Sequence, residues 1–183
     1  MRVSILKLRP TQFAVGMDEV EFRVKEMSKM TPKKLHDYLH SHKVPVIRGP
    51  DGLYLIDKHH LIRACWELGL NHVPVFVKAD LRKDRDFWNT MATNKWIYVK
   101  NQFMAITCPA YLPRTVRGLG DNPWRSLAWK ARINNGFVKD PTPFSEFQWA
   151  EFFHDNLDSP DDIKGALKLC KSPKAKNLPG AIV

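Results

Sequence analysis

The sequence predicts a mixed α/β fold, a small sheet with flanking helices followed by a helical extension. Up to about residue 107, β-rich runs such as Val44-Pro45-Val46-Ile47, Leu53-Tyr54-Leu55-Ile56 and Val73-Pro74-Val75-Phe76-Val77 alternate with segments of helical spacing. Beyond Pro109 the texture turns to Pro-, Arg- and Gly-rich stretches with short helices. The 183 residues, 44% hydrophobic and 26% charged, are enough for a buried core and exclude disordered, collagen-like and coiled-coil readings.

Taken in order, Val3, Ile5 and Leu8 suit one short strand, broken by Arg9-Pro10-Thr11. Asp18 is a candidate N-cap for a helix over 19–30, in which Val20, Val24 and Met27 share a face. Thr31-Pro32 restarts the chain as cap and first helical residue, and Leu35, Tyr38 and Leu39 supply the inner stripe to about His42. Gly49-Pro50-Asp51-Gly52 between two β-rich runs reads as a hairpin. A helix is expected from Asp57, its cap, to Gly69, its C-terminal stop. The strand 73–77, a helix over 84–91 and a strand 96–99 follow. The extension carries helices over 126–133 and 144–153; Phe147, Trp149, Phe152 and Phe153 in the latter read as packing residues. The expected organisation is a 1–107 α/β domain, a 108–172 helical extension packed on it, and a flexible basic tail over 173–183.

Charge is the first functional signal. Against 19 Asp and Glu stand 29 Lys and Arg, a formal +10, which favours polyanionic partners. From Lys95 to Lys139 there are eight basic residues and one acid, Asp121, while the span 140–162 holds seven acids and no Lys or Arg. Within the basic block Lys95, Arg114, Arg117, Arg125 and Lys130 are interleaved with Trp96, Tyr98, Tyr111 and Trp124, as on nucleic-acid surfaces. Such blocks also arise as solvated faces that neutralise one another. Cys65, Cys108 and Cys170 are odd in number and widely spaced, so reduced thiols are expected rather than a disulfide framework or zinc ribbon. There is no apolar run of membrane-spanning length and no signal-peptide core at the start, so the expectation is a cytoplasmic protein without a membrane partner.

The chemistry concentrates where the strand 53–56 runs into the helix after Asp57. A helix start presents unpaired N–H groups and the positive end of its dipole, which suit a phosphate. Lys58, His59, His60 and Arg63 load that end with basic side chains, and Asp57 can cap or hold a metal ion. At 100° per residue Leu61, Ala64, Cys65 and Leu68 share one side, leaving His59, Arg63 and Glu67 on the other for chemistry. The plainer alternative has Asp57 as a cap, surface histidines, and Arg63 paired with Glu67 one turn on. Zinc is disfavoured, because adjacent histidines point to different faces and no third ligand is spaced to join them. Walker, dinucleotide and Gly-x-Ser-x-Gly motifs are absent.

A strand, then Asp57-Lys58-His59-His60, then a helix with Arg63 and Ala64, preceded by Val44-Pro45-Val46 and the Gly49–Gly52 hairpin, resembles the ParB/sulfiredoxin superfamily, and within it the ParB-like nuclease branch. Leu8-Arg9-Pro10-Thr11-Gln12, Asp121-Asn122-Pro123-Trp124-Arg125 and Phe144-Ser145-Glu146-Phe147-Gln148-Trp149-Ala150 extend the resemblance over about residues 6 to 153. It implies a small mixed α/β fold whose signature helix start binds nucleotide or nucleic-acid phosphate. Similar members include CTP-hydrolysing DNA clamps, sulfinic-acid reductases, free-serine kinases and DNases. Asp57, His59 and His60 match the Asp-x-His-His of the kinase-like members, and Arg63 a basic position further on. Lys58 replaces the usual glycine, Leu61 stands where many members carry arginine, and His59 occupies the place of the reductase's cysteine.

The leading expectation is therefore a nuclease acting on DNA with Mg²⁺ or Mn²⁺, with hydrolysis of ATP, ADP or CTP at the same helix start. Asp57 would ligate the metal, Lys58 and Arg63 would neutralise phosphate, and His59 or His60 would move the proton. Glu19 or Glu21 would complete the site if the first helix lies over the junction. A free-serine-like kinase and a non-catalytic nucleotide- or DNA-binding module are the alternatives.

Overall fold

In the computed structural model, which describes residues 1–183, the short β-rich runs pair into a five-stranded mixed sheet. Its strands are β1 (Arg2–Ser4), β2 (Leu8–Pro10), β4 (Val44–Gly49), β5 (Gly52–Leu55) and β6 (His72–Asp80), in the order β1-β6-β4-β5-β2. β1 is antiparallel to β6 and β5 to β4, whereas β4 runs parallel to β6 and β2 parallel to β5. The chain divides into two compact units. The first is Met1–Val15 with Val20–Gly120; the second is Gly16–Glu19 with Asp121–Val183.

The first unit contains the sheet, β3 (Ala14–Val15), α2 (Pro32–Ser41), α3 (His59–Glu67), α4 (Phe87–Thr93) and all but the first turn of α1 (Met17–Ser28). Thr31 caps α2 as expected, its Oγ1 accepting from the Lys34 N–H at 3.3 Å. The hairpin is present as β4 and β5, and Gly52 at its turn has φ 136°, open to glycine. Gly49 is needed for a different reason. A Cβ there would lie 2.4 Å from the Tyr54 ring, so the missing side chain lets Tyr54 and Phe87 close over β4. Ile47, Tyr54, Phe87, Met91 and Ile97 form one buried apolar cluster. Cys65 is buried, which pushes its thiol up to about 12, and Cys108 is exposed.

Two strand expectations change. The strand through Val3, Ile5 and Leu8 is split by a 3₁₀ turn at Ile5–Lys7, which sends β1 and β2 to opposite edges of the sheet. Residues 96–99 form no strand. The Tyr98 N–H donates to the Thr11 carbonyl at 2.9 Å, and only an isolated Lys100–Ile106 bridge follows.

The second unit is helical: α5 (Pro123–Ile133), α6 (Ser145–Asn156) and α7 (Ile163–Cys170). α7 is not anticipated in the sequence reading. β7 (Gly120–Asp121) marks the passage of the chain from the first unit to the second. Phe137 stacks on Trp149 at 4.2 Å between centroids, and Phe153 and Leu127 are fully buried, so the aromatic face of α6 is core. The division falls after Gly120 rather than at 107, and the first turn of α1 goes with the second unit. The basic tail is not a free arm either. The Trp149 indole N–H donates to the Pro179 carbonyl at 2.8 Å, the Val138 N–H donates to the Gly180 carbonyl at 2.9 Å, and Ala175 is buried. No helix is long and apolar enough to cross a membrane.

Candidate functional site

β5 delivers the chain to an exposed Asp57 and then to Lys58, which adopts the left-handed conformation with φ 66° and ψ 28°. That turn, not a capping carboxylate, opens α3. Asp57 is no cap: its Oδ1 accepts from the adjacent Lys58 N–H at 2.6 Å. The first helical bond then runs from the Ile62 N–H to the Lys58 carbonyl at 3.0 Å, so the amides of residues 59–61 form the helix mouth. A left-handed conformation at this point is what a glycine adopts most readily.

The side chains predicted for chemistry are largely committed elsewhere. His59 is buried; its Nε2 accepts from the Thr11 N–H at 3.2 Å, and its other ring nitrogen donates to the Leu55 carbonyl, which also accepts from Thr11 Oγ1 at 2.7 Å. Burial pushes its pKa down to about 3, so the ring is neutral and ties the β2 turn to the end of β5. His60 is buried as well. Arg63, expected at phosphate, is only 13% exposed. Its Nη1 donates to the Leu119 carbonyl at 2.7 Å and its Nε to Glu67 Oε1 at 2.8 Å, while the guanidinium covers the Trp66 ring. The helix side expected to be open is closed because the 3₁₀ turn Val116–Gly118 packs on α3 through these bonds. Lys58 reaches back, its Nζ donating to the Lys43 carbonyl at 3.1 Å.

The remaining predicted residues separate by unit. Lys95, Arg114 and Arg117 are exposed and belong to the first. Glu19, Arg125 and Lys130 belong to the second. There Arg125, expected on a nucleic-acid surface, is 8% exposed and bridges two carboxylates: its Nη2 lies 3.6 Å from Glu19 Oε2 and touches Glu146 Oε2. Arg132 pairs with the other oxygen of Glu146 at 2.8 Å. Lys130 pairs with Asp18 at 2.5 Å. Glu19 thus serves a buried ionic lock rather than a catalytic set. At the helix mouth both ring nitrogens of His59 are engaged, which leaves the exposed Asp57 carboxylate as the side chain there that could hold a Mg²⁺ or Mn²⁺ alongside a phosphate.

The charge is partitioned as the sequence blocks do not suggest. The first unit holds 20 Lys and Arg against 9 Asp and Glu, the second 9 against 10, so the whole positive excess sits with the sheet. The basic tail is balanced within its own unit by the acids of 140–162.

A family model described as "putative ParB-like nuclease" matches residues 1–155. The chain belongs to this ParB-like family. It is also similar to the crystal structure of protein Atu1540 from Agrobacterium tumefaciens, at 39% identity and a TM-score of 0.90, over 99% of this chain and 95% of that one. No curated protein matches it.

Proposed function

We propose that this ParB-like protein binds DNA through its first unit, which grips the phosphodiester backbone electrostatically and seats one phosphate at the mouth of α3. The observation that carries the reading is the charge partition, an excess of eleven positive charges confined to the unit that also contains the helix mouth. Lys95, Arg114 and Arg117 are its exposed contacts, and the amides of residues 59–61 suit a phosphate of the strand or of ATP, ADP or CTP. Binding has more support than turnover. A neutral His59 with both nitrogens occupied is a positioning residue, and Asp57 is the exposed carboxylate available to take a proton from water.

Charge reversal tests the reading. Measured by fluorescence anisotropy on a labelled duplex, Lys95→Glu with Arg117→Glu is expected to weaken affinity by about tenfold or more. Lys164→Glu with Lys168→Glu, exposed positions of the second unit, is expected to leave it within about twofold. Equal losses from the two pairs would overturn the assignment. Nicking of supercoiled plasmid in the same samples reads cleavage, which Asp57→Asn is expected to abolish.

A further inference from the structure

Apart from the helix mouth, the first unit contains a cavity of about 470 Å³ on the face of the sheet where Arg9 of β2 and Tyr54 of β5 are register partners. This is within the size range of small-ligand sites. Three chemistries meet in it. Two guanidinium groups line it, those of Arg9 and Arg114, the latter exposed and without a carboxylate partner. Asp51 adds an acceptor: its Oδ2 lies 3.7 Å from Arg9 Nη1 and 3.4 Å from the Tyr54 hydroxyl that donates to it. Flat apolar walls come from Trp88, set edge-on to Tyr54 at 5.6 Å, and from Pro113. Arg9 lies 5.8 Å from the centre of the Tyr54 ring, and the bare Gly49 lets that ring sit back as the floor.

We infer that this cavity is a site for a nucleoside monophosphate unit, its phosphate on Arg114 and Arg9, its base against Trp88 and Pro113, and its N–H edge on Asp51. A phosphate alone would leave the aromatic wall and the carboxylate unused, and the carboxylate would repel it. A cationic or purely apolar ligand would leave Arg114 uncompensated. A planar base carrying N–H donors together with a phosphate satisfies all three. Guanine suits Asp51 best, since it offers two adjacent N–H donors, whereas thymine flanks its single N–H with carbonyl oxygens. The source is either a free nucleotide or an unpaired nucleotide of a bound strand. The second source rests on the DNA-binding reading above, because a base in a duplex hides this edge.

Isothermal titration of the full chain with 5′-GMP, 5′-TMP and ribose 5-phosphate tests the site. Saturable binding is expected, tighter for GMP than for TMP. Trp88→Ala is expected to weaken GMP binding by about tenfold or more while leaving ribose 5-phosphate unchanged, and Arg114→Ala to weaken both by about tenfold or more. Arg114 is exposed, so its variant keeps the test sound even if Trp88→Ala unfolds. No saturable GMP binding, or GMP binding indifferent to Arg114→Ala, overturns the inference. Competition of GMP by a single-stranded oligonucleotide with an unpaired dG assigns the site to a strand, and failure to compete assigns it to free nucleotide. Duplex affinity without GMP binding would overturn this site alone, and GMP binding without duplex affinity would overturn the DNA reading and leave the site standing.

Discussion

His59 shows how burial can turn a catalytic-looking side chain into a structural one. Its ring accepts from Thr11 and donates to Leu55, so the neutral form is the one the fold selects. The unfolded chain takes up a proton near the ordinary histidine value of about 6.5, while the folded chain resists protonation until about 3. Stability is therefore unaffected by this group above the unfolded value and is lost as pH falls below it, with a limiting slope of about 1.4 kcal/mol per pH unit. Urea unfolding at pH 7.5, 6 and 5 should show this loss, and His59→Gln, which cannot take up a proton, should flatten it. Identical slopes in the two proteins would contradict the neutral tie. The composition of the Asp57–Arg63 segment announces a site, but not whether its side chains face a ligand or the protein. Only the partners brought by remote segments, Thr11 and Leu119, decide that.

At the scale of elements, the readable ones are those whose start signals are local. Thr31-Pro32 fixes α2, and Gly69, at φ 74°, ends the turn after α3. The start of α3 is misread because aspartate is a common cap. The chain instead places Lys58 in a left-handed turn, and nothing in the sequence itself marks a lysine for that conformation. α7 escapes notice because Gly165 sits in its first turn, where it receives the Asp162 cap: its N–H donates to Asp162 Oδ1 at 2.8 Å. The lock joining α5, α6 and the first turn of α1 is equally silent, since an arginine in a basic block looks the same whether buried or exposed. Removing its centre exposes the difference. Arg125→Ala leaves the buried Glu19 and Glu146 without their bridging cation, and is expected to cost about 3–5 kcal/mol by chemical denaturation. A loss below about 1 kcal/mol would mean that Arg125 is a surface residue after all.

For the whole molecule, the fold class and the α3 junction follow from patterning and motif, whereas the division into units does not. Residues 16–19 join residues some hundred positions later, and that pairing regroups every charge block. The net +10 is in effect one strongly basic unit joined to one nearly neutral unit. Lysine acetylation mapped by mass spectrometry, with and without duplex DNA, tests this most directly. DNA is expected to protect Lys58 and Lys95 and to leave Lys164, Lys168 and Lys171 as reactive as before; protection confined to the second unit's lysines would contradict it.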